Sequence, residues 1–164
     1  RGDVIVFKTP SDNRTDYIKR LIGIPGDEIQ FIDGHLYLNN NEILKTLISK
    51  SKKIYCGKKQ IDVNTFEEKL PNGKSFITSY NKEYTYLNSD KFVVPENHYF
   101  FLGDNRDCSK DSRYLSEVGY VSRDNLVGKA RFLFFSSDYR VGSLLEFWNW
   151  SKIIRFNRFF KKIN

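Results

Sequence analysis

The chain has 164 residues, a net charge of +7 and 16% aromatic residues. That length gives one domain with a real core and room for a small lobe, and 14 Phe with 10 Tyr exclude a disordered chain. The longest purely apolar runs, such as Phe132-Leu133-Phe134-Phe135, are too short to span a bilayer, and no signal-peptide pattern is present.

Taken in order, the segments punctuate like a β protein. Residues 3–7 form a β-branched strand and residues 17–22 a second. Glu28–Ile32 and His35–Leu38 flank Asp33-Gly34, the strongest short hairpin signal. Asn72-Gly73 separates residues 67–71 from 75–80 in the same way. Residues 91–94, 99–102 and 126–135 read as further strands. A parallel α/β architecture needs helical patterns between such runs, and the sequence has none there. Residues 39–98 are rich in Lys, Asn, Ser and Tyr with weak periodicity, which suits an inserted, mostly β lobe; one long irregular part of the same sheet is the plainer alternative. From Trp148 onward, Ile153, Phe156, Phe159, Phe160 and Ile163 follow helical spacing, so a short C-terminal helix is expected. The division is therefore a β core of residues 1–38 and 99–147, a lobe of 39–98, and a basic aromatic segment of 148–164.

The positive surplus suits an anionic partner, either nucleic acid or an acidic membrane face. It is uneven. Residues 144–164 hold five bases, Lys152, Arg155, Arg158, Lys161 and Lys162, against Glu146, together with Trp148 and Trp150. Membrane contact and packing on the core are both open readings of that segment. Cys56 and Cys108 are too few for a disulfide framework; they lie 52 positions apart, nothing local favours their pairing, and a single bridge stays open. His35 and His98 lack partners at metal-ligand spacing, so no metal site is expected.

Three segments carry more than composition: Arg1-Gly2-Asp3-Val4-Ile5-Val6-Phe7, whose Arg-Gly-Asp is a common tripeptide and weak as an adhesion motif, and two that say more. In Asp16-Tyr17-Ile18-Lys19-Arg20-Leu21-Ile22-Gly23-Ile24-Pro25-Gly26-Asp27, adjacent bases interrupt an apolar strand. Alternation sends Lys19 and Arg20 to opposite faces. A buried Arg cannot lose its proton and needs a carboxylate. A buried Lys can, and its pKa falls toward the range of a general base. The plainer reading is a surface strand with two solvated bases. The other segment is Gly103-Asp104-Asn105-Arg106-Asp107-Cys108-Ser109-Lys110-Asp111-Ser112-Arg113, with three Asp, two Arg and one Lys. A calcium loop starting at Asp104 would put Arg106, Ser109 and Leu115 at positions that need a ligand, a glycine and a glutamate, so that reading fails. An internally paired loop fits better: Asp104 is available to Arg20, and Asp111 to Arg113.

These blocks, in this order with Arg1-Gly2-Asp3-Val4-Ile5-Val6-Phe7 before them and Asn125-Leu126-Val127-Gly128-Lys129-Ala130 after them, resemble bacterial type I signal peptidase of the Gram-negative kind. The resemblance implies an antiparallel β fold with a catalytic core and a smaller inserted β lobe. It implies a membrane-associated serine endopeptidase that cleaves signal peptides from exported preproteins by a Ser–Lys dyad, on the periplasmic side of the inner membrane. Lys19 matches the general base and Ser109 the serine that orients it. Arg20 and Asp104 match a structural ion pair, and Asp111 and Arg113 further loop supports. Asp16, Tyr17 and Ile18 would meet the substrate as an added strand, with Ile18 and Val6 lining shallow pockets. Cys108 stands where the family often has Asn. The attacking serine belongs to a Ser-Met-x-Pro block ahead of the Arg-Gly-Asp strand; this chain has no Met and begins at Arg1, so it is expected to be an inactive piece of a longer, anchored protein. The partners implied are signal peptides and an anionic membrane surface, with no cofactor and no nucleic acid. Rival readings are a self-cleaving repressor-type Ser–Lys protein, a nucleic-acid-binding β-barrel and a non-catalytic interaction module.

Overall fold

A computed structural model of the chain describes residues 1–82, 86–138, 145 and 147–163. It contains two compact units, Arg1–Lys129 and Ala130–Asn164. The first unit runs through β1 (Val4–Lys8), β2 (Asp16–Gly23), β3 (Glu28–Ile32), β4 (His35–Leu38), β5 (Asn41–Glu42), β6 (Lys45–Cys56), β7 (Lys59–Lys69), β8 (Ser75–Asn81), β9 (Phe92–Val93), β10 (His98–Leu102), β11 (Val121–Ser122) and β12 (Leu126–Lys129). They form a five-stranded sheet in the order β11-β10-β2-β1-β12, a four-stranded sheet β5-β4-β3-β9 and a three-stranded sheet β6-β7-β8. Every pairing between these strands is antiparallel, so the fold is mainly antiparallel β.

The hairpin at Asp33-Gly34 shows why these residues fold as they do. Both have positive φ, 49° and 74°, the conformation that matches a two-residue turn to the twist of its strands. Register follows: Ile29 lies opposite Leu38 and Phe31 opposite Leu36, and all four are buried. The three-stranded sheet falls within residues 39–98, while β5 and β9 at the ends of that stretch pair with β4 and β3.

Period-two alternation also makes the five-stranded sheet a wall between two cores. Phe100 packs with Ile22, Ile29, Phe31, Leu36, Phe92 and Leu102 on one side. Its neighbour Phe101 packs with Phe7, Val118 and Val121 on the other, its ring 4.6 Å from that of Phe7. Burying each such ring contributes about 1.5–3 kcal/mol. In that sheet β2 is the central strand.

Two expectations are corrected. The run 126–135 is not one strand: pairing with β1 ends at Lys129, and Phe132–Leu133 form β13 in the second unit. Nor is the segment from Trp148 a helix to the end. Only Trp150–Ile153 form an α-helical turn, α1. After it the backbone turns outward instead of up the helix: Arg155 N donates to Ser136 O at 2.9 Å, and Lys161–Lys162 form β14, paired with β13. Phe160 has φ +54°, which an α-helix does not admit. The aromatic spacing that suggests a helix is met by ring contacts across this reversal, Phe134 with Phe160 and Phe135 with Phe159.

Candidate active site

β2 delivers the two bases to different surroundings. Lys19 Nζ lies 5.4 Å from the centre of the Tyr17 ring, on the face of Leu21 and the Phe7–Phe101 core. The Arg20 guanidinium lies 4.2 Å over Phe76, on the other face. Arg20 Nε and Nη2 donate to the two oxygens of Asp104 at 2.7 and 2.8 Å, and Nη1 donates to Gly2 O at 2.6 Å. Lys19 is half-buried, and among the described residues no hydrogen bond or ion pair engages its ammonium. Burial lowers its pKa below the ordinary lysine value; Asp111 and Asp104 act the other way, and Arg113 adds to the lowering.

The loop after β10 ties itself together. Arg113 Nε and Nη2 donate to Asp111 Oδ1 and Oδ2 at 2.8 and 2.9 Å, and Nη2 also donates to Arg106 O. Asp111 Oδ2 accepts from Gly103 N at 2.9 Å, and Ser112 Oγ accepts from Phe101 N at 2.9 Å. These bonds fold the loop back onto the end of β10. A Cβ at residue 103 would sit 2.1 Å from Ser109 Oγ, so only glycine lets the serine come this close. Ser109 is buried, and among the described residues its hydroxyl has no hydrogen-bond partner.

Strand and loop line an open cavity of about 260 Å³. Val4 and Ile18 supply apolar wall, Lys19, Asn105 and Ser109 supply polar groups, and Gly103 and Cys108 also line it. The geometry thus brings Lys19, Arg20, Asp104, Ser109 and Ile18 to one cavity, with Asp111 and Arg113 behind it. Val6 does not line it; Val6 pairs with Ile18 across the sheet, and Val4 stands in the wall instead. Asp16 pairs with Lys8 at 3.2 Å, and Tyr17 packs near Phe7, both outside the wall.

Two features of this site escape the sequence reading. Cys56 and Cys108 form a disulfide, so the bridge left open above is closed. Arg106, 1% exposed, is the other. Its Nη2 donates to Glu68 Oε2 at 2.5 Å and its Nη1 to Tyr80 Oη at 2.7 Å. A signal existed: Glu68 falls in the inward register between Phe66 and Leu70, where a charge demands a buried partner.

Residues 1–135 match the family described as signal peptidase, peptidase S26. Signal peptidase I of Rickettsia conorii is 39% identical over 99% of this chain and 65% of its own length. That of Rickettsia bellii is 41% identical over 99% of this chain and 60% of its own. A signal peptidase I structure from Enterococcus faecalis is 28% identical, with a TM-score of 0.46 over 79% of this chain and 94% of that one. The chain therefore spans about three fifths to two thirds of the length of the curated relatives it matches. With the family match running from the first residue through β13, the chain belongs to the signal peptidase family, peptidase S26.

Proposed function

We propose that the chain is the catalytic part of a membrane-associated serine endopeptidase that removes signal peptides from exported preproteins by a Ser–Lys dyad. The observation that carries this reading is a half-buried lysine, Lys19, sharing a cavity with a buried serine hydroxyl, Ser109, where among the described residues the lysine has no ion pair and the hydroxyl no hydrogen-bond partner.

In this reading the attacking serine is that of the Ser-Met-x-Pro block which the family resemblance implies. Neutral Lys19 Nζ takes the proton of that hydroxyl as the oxygen attacks the carbonyl carbon at the cleavage site. The ammonium then protonates the departing amine, leaving an acyl-enzyme. Lys19 next deprotonates a water, which attacks the ester and restores the serine. In this reading Ser109 Oγ, which is not bonded to Lys19 in the structure, accepts a hydrogen bond from Lys19 Nζ during the reaction and fixes its rotamer, the orienting role of a third group in triad logic. Arg20 with Asp104, and Arg113 with Asp111, hold strand and loop in place.

The substrate enters as a strand. Residues Asp16 to Lys19 pair with β1 on one side, while β10 pairs with β2 only from Arg20 onward. The other edge at Tyr17 and Ile18 is open to β-addition. Ile18, 59% exposed, and Val4 offer a shallow apolar surface for small side chains. Val6, Asp16 and Tyr17 flank the approach.

The setting is the outer face of an inner membrane. The disulfide suits an oxidising compartment. Exposed Trp148, Trp150, Phe156 and Phe160 beside basic residues suit the headgroup level of an anionic bilayer. The test is cleavage of a preprotein by the chain extended with its native upstream sequence, set against its Lys19→Ala variant and against the 164 residues alone. The extended chain should cleave and the other two should not; turnover by the 164 residues above a Lys19→Ala control would overturn the assignment of the nucleophile.

A further inference from the structure

The 3-10 turn that precedes Ser109, Arg106–Cys108, is held from outside its own sheet, one residue at a time. Arg106 is bound by Glu68 of β7 and Tyr80 of β8. Asp107 Oδ2 accepts from the Asn81 N–H at the end of β8, at 2.6 Å. Cys108 is bonded to Cys56 at the end of β6. Just upstream, Asp104 O accepts from Ser79 N at 2.8 Å. All three strands of the β6–β8 sheet thus hold the residues that lead into Ser109.

Glu68 is saturated for this purpose. Its Oε1 accepts from Thr78 at 3.1 Å and Tyr80 at 2.5 Å, while Oε2 takes Arg106. Glu68 and Arg106 are each 1% exposed. A buried ion pair adds little stability over well-packed apolar residues, whereas its directional bonds fix position. Ser109 Oγ, by contrast, makes no hydrogen bond among the described residues, so its place depends on what holds the turn.

From these contacts we propose that the β6–β8 sheet positions the Ser109 hydroxyl against Lys19, with Glu68 acting through Arg106, and Cys56 through Cys108, as positioning residues. The proposal rests on the Ser–Lys reading above. A displacement of about 1 Å in such a group can cost on the order of 10²-fold in rate. Ile18 and Val4 share the cavity with Ser109 but are carried by β2 and the chain ahead of it, not by the Arg106–Cys108 turn, so the loss falls mainly on kcat and little on KM.

The test uses the chain with its native upstream sequence and two perturbations of different kinds. One is Glu68→Gln. The other opens the bridge with dithiothreitol: the Sγ–Sγ bond breaks, two thiols form with two electrons and two protons from the dithiol, and the dithiol closes to its own disulfide. Near-UV circular dichroism keeps the assay below the melting transition. Both perturbations should lower kcat on the order of tenfold, leave KM within about twofold, and move the acid limb of the kcat–pH profile upward as Lys19 loses its enclosure. Reoxidation should restore the second loss, and the Cys56→Ser, Cys108→Ser double variant should not respond to dithiothreitol. If Glu68→Gln fails to fold, the reduction arm decides alone. Unchanged kcat with the bridge shown open by mass spectrometry overturns the proposal. Absence of turnover in the unperturbed protein overturns the Ser–Lys reading instead. The titration of ¹³C-methylated Lys19, followed by NMR, still decides this one: reduction should raise its midpoint, and an unmoved midpoint counts against it.

Discussion

Arg20 grips Asp104 through two parallel hydrogen bonds, although the arginine side chain is 5% exposed and the aspartate 43%. The two sides of the pair are therefore unequal. Losing Asp104 strands a guanidinium over Phe76; losing Arg20 leaves a carboxylate that water can reach. Breaking a fully buried pair costs about 3–5 kcal/mol, and partial exposure here moves the expectation to about 2–3 kcal/mol for Asp104→Ala. Thermal melts of Arg20→Ala, Asp104→Ala and the double variant should give a non-additive cycle, because the residues touch. Strict additivity would mean that the bonds contribute nothing jointly.

Lys19 should dominate activity in the chain restored with its upstream sequence. Lys19→Ala should lose on the order of 10⁴-fold, and Lys19→Arg as much, because a guanidinium stays protonated. Ser109→Ala should be milder, since it removes orientation and leaves the base. On the proposed general-base role only the neutral amine is competent, so kcat/KM should rise with pH through a pKa below the ordinary lysine value. Equal losses for Ser109→Ala and Lys19→Ala would require the roles to be redrawn.

The same burial has a sign for stability. The folded state binds the Lys19 proton more weakly than the unfolded chain does, so this residue makes stability rise with pH from its lowered pKa up to the ordinary value. Lys19→Met should therefore melt a few degrees higher than wild type at pH 7, with the gain shrinking as pH climbs toward 10. Differential scanning calorimetry across that range checks both the sign and the slope.

Asp3 works in the opposite window. Its Oδ1 accepts from Lys129 at 2.6 Å and Lys74 at 2.8 Å, and these bonds hold its pKa at about 2. A depressed carboxyl gives stability that is complete above the ordinary aspartate value and is lost as pH falls toward 2. Acid unfolding of Asp3→Asn should consequently differ from wild type at pH 6 and converge with it near pH 2. A constant gap between the two curves would mean that the ion pairs are not the cause.

Exposed aromatics in the second unit make the membrane expectation testable without deleting strands. Trp148 is 67% and Phe160 68% exposed. The chain should co-sediment with anionic vesicles, less so as salt rises, and Trp148→Ser with Phe160→Ser should weaken binding without lowering the melting temperature. Removing everything after residue 147 is a poorer test, since β14 is the partner of β13.

What the sequence disclosed depended on range. Local chemistry sufficed for Asp33-Gly34 and its flanking strands, whose bounds match residue for residue. The need of Arg20 for a carboxylate follows from burial alone, and Asp104 supplies it. Phe156, Phe159 and Phe160 misled because helical spacing also suits rings that meet across a reversal, and a reversal is set by a partner segment, here residues 131–138. Cys56 with Cys108, and Glu68 with Arg106, are separated by 52 and 38 positions, so their proximity is set by where the β6–β8 sheet docks and not by local sequence.

The Cys56–Cys108 bond also acts on the chain when it is not folded. Closing a loop of 52 positions removes configurational freedom from the denatured ensemble worth about 4 kcal/mol in the chain-entropy account. An oxidised molecule that opens does not lose the neighbourhood of hairpin tip and turn. The other two attachments of that turn, through Arg106 and Asp107, span 38 and 26 positions. Refolding of an oxidised chain thus begins with the most distant of the three already made, whereas a newly synthesised, reduced chain must find it by diffusion.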